Sequence, residues 1–137
     1  MGRRAVHTHR HEKQVPGHHV QVDVKFLTLQ GPAGQRVRRY QYTAIDDATR
    51  VRALRVYRRH TQGIRHVYIK ARTPQLNGKV ERSHRTDQQE FYQLLSYKGD
   101  VDLEQRLAEW ERFYNYDRPH GAFAGKTPYE ALREKLQ

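Results

Sequence analysis

The chain has 137 residues, enough for one domain with a buried core. It contains no cysteine, which excludes a disulfide framework, thiolate metal sites and a cysteine nucleophile. It shows neither a run of apolar residues long enough for a membrane span nor a secretory leader, so we expect a soluble, cytoplasmic protein without a membrane partner. The net charge is +11, and residues 36–85 carry fourteen Lys and Arg against three acids. Such basic density favours a nucleic-acid partner; a generally basic, solvated surface is the alternative.

Residues 1–17 show no apolar periodicity and end at Pro16-Gly17, so we expect a flexible, basic lead-in. His7, His9 and His11 alternate in this region, and His18 and His19 follow it. Histidines spaced two apart in a loop lack the ordered geometry of a zinc site. A mobile basic arm is the better interpretation.

Apolar and polar residues alternate from Val20 onward and predict a β-strand. One face of this strand is apolar and the other is polar: Val20, Val22, Val24 and Phe26 against Gln21, Asp23 and Lys25. Turns are predicted at 31–34 and 46–49, and further strands at 38–45 and 51–57. Together they predict an antiparallel meander with Asp23 projecting from its first strand. Residues 64–69 alternate again and predict one further strand.

The second half of the chain is predicted to be helical. We expect Asn77 to cap a helix to about Tyr97 and Asp100 and Asp102 to start the next helix, where Asp102 and Gln105 fit a capping box. An apolar stripe on that second helix indicates core packing and not a cofactor site: Leu103, Leu107, Trp110 and Tyr114. A structural turn without catalytic residues is expected next: Asn115, Arg118, Pro119 and His120. The run Thr127-Pro128-Tyr129-Glu130 predicts the start of a last helix.

Four segments of the chain form a recognisable set: HHVQVDVKFL (18–27), YTAIDDATR (42–50), RTPQLNGKVERSHRT (72–86) and FYNYDRPHGAFAGKTPYEAL (113–132). This set resembles the catalytic core of insertion-sequence transposases, which is similar to that of retroviral integrases in the ribonuclease-H-like superfamily. The resemblance spans about residues 14–136. It implies an α/β class, as an incomplete ribonuclease-H-like fold over residues 18–137. That fold would comprise the three-strand meander, one further strand and three C-terminal helices.

The resemblance implies that Asp23 and Glu81 are the first and last metal-binding carboxylates of a DDE-type recombinase. Family members hold two Mg²⁺ ions, for which Mn²⁺ can substitute, and transfer DNA phosphoryl groups to water and to a 3′-hydroxyl. Mg²⁺ prefers hard oxygen ligands of this kind. Without the resemblance, Asp23 would be an ordinary strand acid, and Glu81 a first-turn glutamate that stabilises its helix.

Basic residues around Glu81 are expected to contact DNA phosphates: Arg72, Lys79, Arg82 and Arg85. Arg82 and Arg85 are three residues apart and share a helix face, although a solvated face is the alternative interpretation. Asn77 and Gly78 are expected to shape the turn that presents Glu81.

The resemblance is interrupted between Tyr57 and Ile64. In the family, the third strand leads to a helix, a strand carrying the second catalytic aspartate and another helix, roughly 40 residues at ordinary lengths. Here six residues replace them, and no Asp or Glu lies between Asp47 and Glu81. We therefore expect these elements to be missing after about residue 62, metal binding to be weakened and catalysis to be absent.

The short connection also constrains the predicted strand at residues 64–69. Six extended residues reach about 20 Å. The family path needs about 14 Å to cross three strand spacings and about 17 Å to return along a strand. We expect this strand to pair as a hairpin on the third strand, to be displaced, or to complete a domain-swapped dimer.

The sequence thus predicts a truncated, inactive DDE transposase or integrase domain of bacterial origin, nucleoid-associated when bound to DNA. Its partners would be DNA and either an intact transposase or a second copy. Two alternatives remain: a non-catalytic DNA-binding remnant that modulates an intact transposase, and a basic RNA-associated protein. The RNA alternative explains the charge but not the pairing of Asp23 with Glu81. Residues 1–17 do not resemble the family's helix-turn-helix, so we expect no sequence-specific recognition of transposon ends.

Overall fold

The computed structural model describes residues 15–60 and 78–137. These residues form a three-stranded antiparallel sheet followed by helices. The elements are β1 (Val20–Gln30), β2 (Arg36–Asp46), β3 (Arg52–Tyr57), α1 (Gly78–Glu90), α2 (Asp100–Tyr116) and α3 (Pro128–Leu136), with 3₁₀ turns at Tyr92–Leu94 and Gly121–Phe123. The predicted α/β class, the meander and the three C-terminal helices are confirmed. Residues 1–14 of the lead-in, the strand at 64–69, Arg72 and Asn77 lie outside the described residues.

The sheet has the order β1-β2-β3, with each strand antiparallel to the next. The first turn contains Gly34 at φ 83°, where the left-handed backbone favours glycine. In the second turn, the Asp46 carboxylate accepts hydrogen bonds from the Thr49 backbone N–H (3.1 Å) and hydroxyl (2.7 Å). An aspartate that bonds its own turn is a common way to reverse the chain. Both predicted turns are confirmed.

The helices cover the face of β1 that carries its odd-numbered residues. Leu27 and Leu29 on that face are buried, whereas Phe26 on the other face is 66% exposed. Gln21 on the same face is also buried, and its Oε1 accepts a hydrogen bond from the Val80 backbone N–H of α1 at 3.2 Å. The predicted strand is confirmed. The helices cover the face of β1 that was predicted to be polar, and not the face predicted to be apolar.

Two apolar clusters hold the helices to the sheet. The first joins Leu27 and Leu29 of β1 to Tyr97 and to Leu103 of α2. The second joins Leu54 of β3 to the rest of the α2 stripe: Leu107, Trp110 and Tyr114. All four residues of the predicted stripe are buried, so core packing is confirmed.

The helix ends agree in part with the sequence. The capping box at α3 is confirmed, since Thr127 Oγ1 accepts from the Glu130 N–H (3.1 Å) and Glu130 Oε1 accepts from the Thr127 N–H (2.9 Å). The α2 helix begins at Asp100, as predicted. Its N-cap is Gly99, so Asp102 is not the capping residue and instead accepts a hydrogen bond from the Lys98 N–H at 2.8 Å. The α1 helix ends at Glu90 and a 3₁₀ turn follows. None of the helices in the two described ranges meets the length and hydropathy that a bilayer crossing demands.

Candidate carboxylate site and basic surface

The N-terminal end of α1 is fixed to the sheet by polar contacts. Besides the bond from the Val80 N–H to Gln21, the Lys79 ammonium donates to the Asp47 carboxylate at 2.6 Å and to the Asp47 carbonyl at 2.8 Å. Asp47 is fully buried in the turn between β2 and β3. These contacts place the first turn of α1, which carries Glu81, against β1.

A buried carboxylate fixes the middle of α1. Asp87 accepts two hydrogen bonds from the Arg52 guanidinium (2.7 and 2.9 Å), one from Gln41 Nε2 (3.0 Å) and one from Trp110 Nε1 (2.6 Å). Burial alone would raise the pKa of Asp87, but the bonds from Arg52, Gln41 and Trp110 outweigh it and hold that pKa below its usual value. We call these four residues the Asp87 network.

The Asp87 network ties α1 to two strands and to α2. The Arg52 guanidinium also lies over the Tyr114 ring, 3.7 Å from its centroid, which is a cation–π contact. The side-chain amide of Asn115 closes the same region, because it accepts from the Arg52 N–H and donates to the Arg52 carbonyl, both at 2.9 Å. Asn115 therefore serves a structural purpose, as its interpretation as part of a turn implied, although it lies within α2.

His84 occupies the same buried face of α1. Its Nε2 lies 3.0 Å from the Thr43 hydroxyl of β2. Burial lowers the pKa of His84 to about 4, so the imidazole is neutral at neutral pH. Since one ring nitrogen is committed to Thr43, His84 contributes to packing and hydrogen bonding in this fold.

The two carboxylates predicted to bind metal lie on β1 and on α1, near enough for the charge of Glu81 to act on Asp23. Asp23 is half-buried, and its Oδ1 accepts a hydrogen bond from the Val24 N–H at 2.8 Å. Burial raises the pKa of Asp23, and the negative charge of Glu81 raises it further. Glu81 is exposed in the first turn of α1. Within residues 15–60 and 78–137, no group of three His, Cys, Asp or Glu is placed to share a metal ion.

The predicted DNA contacts near Glu81 are in different environments. Lys79 is bound to Asp47, whereas Arg82 and Arg85 are exposed on α1. Gly78 is the first residue of α1. The Asp87 network was not predicted. Its signal in the sequence is a polar residue at a core position of α1, because the buried stripe of this helix consists of Val80, Ser83, His84 and Asp87.

An antiparallel meander with Asp23 on its first strand and a later helix with a glutamate in its first turn agree with a partial ribonuclease-H-like core. Residues 62–128 match the family model of the integrase core domain. Over 71 residues the chain is 32% identical to the ORF3 protein of Spiroplasma virus SpV1-C74, which is designated an integrase. These matches support an integrase or transposase core of the ribonuclease-H-like type, and the family match covers just under half of the chain.

These matches cover only part of each protein. The alignment with the viral protein covers 52% of this chain and 20% of that relative, so the chain spans about a fifth of its length. Glu81 lies within the matched family segment, whereas Asp23 precedes it. The family match therefore includes Glu81 and does not include Asp23.

Proposed function

We propose that the chain is a shortened integrase or transposase core that binds DNA and holds a divalent ion weakly, without catalysing strand cleavage or transfer. The observation that carries this proposal is the Asp23–Glu81 pair, which lacks a third carboxylate among the described residues. Integrase-family domains act on DNA and generally use divalent metal. In this chain the DNA-binding function would remain and the metal-dependent chemistry would be lost.

The side chains fit a single hard cation better than a pair of ions. Asp23 and Glu81 supply carboxylate oxygens, the donors that Mg²⁺ and Mn²⁺ prefer. Burial raises the pKa of Asp23 most and the negative charge of Glu81 adds to it, and a cation between the two carboxylates would relieve that repulsion. A two-ion site needs more bridging carboxylates than this pair provides. When bound, the ion would supply Lewis-acid chemistry; Asp23 and Glu81 would hold it, and the Val24 N–H would orient Asp23.

The basic surface supports DNA binding independently of catalysis. Residues 36–85 carry a local charge of +11, from fourteen basic and three acidic residues. Arg82 and Arg85 place part of that charge in solvent on α1, one and four residues beyond Glu81. Phosphate contacts of this kind confer affinity that falls steeply with salt and carries little sequence preference.

Metal titration and a nicking assay on the full chain test the catalytic part of the proposal. We expect Mn²⁺ and Mg²⁺ to bind weakly to the wild type, to bind at least tenfold more weakly to Asp23→Asn and Glu81→Gln, and to bind equally to Glu109→Gln. Glu109 is an exposed acid on α2 and serves as the matched control. No variant should nick supercoiled plasmid. Metal-dependent nicking by the wild type that Asp23→Asn abolishes would show that catalysis is retained, and equal metal binding by all four proteins would refute the metal site.

A second assay tests the nucleic-acid partner. Fluorescence anisotropy with duplex DNA and duplex RNA of equal length should show tighter binding to DNA and an affinity that falls with salt. The Arg82→Gln and Arg85→Gln variants should each bind DNA several-fold more weakly. A consistent preference for RNA would contradict the proposal and favour an RNA-associated protein.

A further inference from the structure

A basic cavity of about 250 Å³ opens on the side of α1 away from the carboxylate pair. Lys79, Arg82, Ser83 and Thr86 line it from α1, at the three- and four-residue spacing of one helix face. Glu81 lies about 100° around the helix from Arg82, because a helix has about 3.6 residues per turn. The other walls come from the turn before β3, from α2 and from the segment after α2: Arg50, Tyr114, Arg118, His120, Gly121 and Ala122. The lining includes three Arg, one Lys and one His, and no acid.

Two of these cations are already neutralised. The Lys79 ammonium is paired with Asp47 at 2.6 Å, and the Arg118 guanidinium with Glu90 at 2.6 Å. Arg50 and Arg82 form no ion pair within the described parts of the chain. The cavity therefore carries a net positive charge that its own walls do not balance.

Polar atoms buried at the cavity lack partners among the described residues. His120 is 8% exposed, and its Nε2 is buried without a hydrogen bond. The Nε of Arg50 is buried in the same way. Leaving such atoms unpaired destabilises a protein, so an unpaired donor or acceptor beside a cavity points to a ligand group that completes it.

The backbone holds both residues in position. Arg50 has φ 66°, a left-handed conformation that glycine tolerates best, and its guanidinium lies 5.4 Å from the centre of the Phe123 ring. The backbone N–H of His120 donates to the Lys126 carbonyl at 3.0 Å, and its ring packs edge-on against Tyr114. An arginine maintained in a strained conformation at a cavity is a reason to look for function there.

The positive charge of the cavity also affects the pKa of His120. Burial, together with the positive charges of Arg118, Arg50 and Arg52, lowers the pKa of His120 to about 4. The imidazole is therefore neutral at neutral pH. An anion between Arg50 and Arg82 would change the field at this ring, which makes His120 a local reporter.

We propose that this cavity binds a phosphate group through Arg50, Arg82 and His120. A phosphate has several acceptor oxygens and can accept from three elements at once, and the guanidinium fork matches its geometry. The volume lies below the range of about 300–1,000 Å³ that is usual for drug-sized ligands, which suits a compact group. Taking the phosphate from a nucleic-acid backbone rests on the proposed function; free inorganic phosphate is the other source of the same chemistry.

Imidazole NMR on the full chain with labelled histidine, together with DNA-binding anisotropy, tests this site. Inorganic phosphate should shift the His120 resonances of the wild type, with saturation. Arg50→Gln and Arg82→Gln should weaken that binding at least tenfold. Arg112→Gln, which removes an exposed arginine from α2, should leave it unchanged. Thermal melting checks that each variant is folded, and Arg82, being exposed, can be changed without disturbing the core.

A short DNA duplex distinguishes the two sources of phosphate. If the cavity holds a backbone phosphate, the duplex should shift the same His120 resonances and compete with inorganic phosphate. A His120 resonance that neither ligand moves, or phosphate binding that Arg50→Gln and Arg82→Gln leave unchanged, would overturn the site. DNA binding that persists in both variants with His120 unmoved would overturn the site and leave the proposed function standing. Phosphate binding without DNA binding would support the cavity and refute the proposed function.

Discussion

Replacing Asp87 by asparagine should destabilise the fold by about 3 kcal/mol or more. The Asp87 and Arg52 side chains are 2% and 0% exposed, so the substitution leaves a buried guanidinium without its counter-charge. Breaking a buried ion pair from one side costs about 3–5 kcal/mol. Asparagine still offers one acceptor oxygen to Trp110 or Gln41, which places the expected loss toward the lower end of that range. Domains of this size have only about 5–15 kcal/mol of net stability.

Urea unfolding followed by tryptophan fluorescence measures this loss. Trp110 is the single tryptophan of the chain, and its indole N–H donates directly to Asp87, so the probe reports on the network itself. The control is Glu90→Gln, which breaks the more exposed pair with Arg118 on the same helix. An exposed pair contributes at most about 1 kcal/mol, so the control should unfold nearly as the wild type does.

The double variant Asp87→Asn with Arg52→Gln tests whether the loss comes from an unpaired charge. Removing both charges leaves no isolated ion, so the double variant should lose clearly less stability than the sum of the two single variants. Strict additivity would refute this reasoning. So would an Asp87→Asn protein within about 1 kcal/mol of the wild type.

Three further predictions concern His84, Asn115 and Thr127. The folded pKa of His84 is about 4 against 6.5 for the unfolded chain, so the unfolded state binds more protons between these values and stability falls as pH falls from 6.5 to 4. At about 1.36 kcal/mol per pKa unit, this loss of stability reaches about 3 kcal/mol. Urea unfolding at pH 7 and 4.5 measures it, and the His84→Gln variant should no longer show this difference between the two pH values. A pH dependence that the substitution leaves unchanged would contradict the assignment to His84. Asn115→Ala should cost about 2 kcal/mol and accelerate amide exchange at Arg52, because two backbone bonds are lost; unaltered exchange there would speak against the clamp. Thr127→Ala should cost about 1 kcal/mol by removing the α3 cap, measured by thermal unfolding, and Thr127→Ser should retain most of that stability.

The elements that sequence predicted well are those with local signals. Alternation over a few residues is enough to define β1, and the turn at Asp46 is encoded by the side chain that bonds its own backbone. The α3 capping box depends on residues three apart, and it formed as expected. Such features need no knowledge of the tertiary structure, since the interacting groups are neighbours in the chain.

The features that sequence missed depend on distant residues. Asp87 meets Trp110, Arg52 and Gln41 across 23, 35 and 46 residues, so no local pattern joins them. The boundary of α1 was also misplaced, because residues after Glu90 form a 3₁₀ turn that lets Tyr92 donate to Gln41. Tertiary hydrogen bonding decided both features.

The contacts of α1 explain how the helix that carries Glu81 is held against the sheet although the resemblance to the family is interrupted. The polar anchors described for this helix come from the three strands, the turn between β2 and β3, and α2: Gln21, Gln41, Thr43, Asp47, Arg52 and Trp110. None of them belongs to the segment where the family would insert its additional helices and strand. The helix is therefore held by the sheet it lies on, and its exposed residues remain available on either side of the buried stripe. Glu81 and Arg82 lie on different sides of that stripe, and Arg82 lines the basic cavity. Under the proposed function, loss of the middle carboxylate removes the chemistry and retains the proposed phosphate-binding surface.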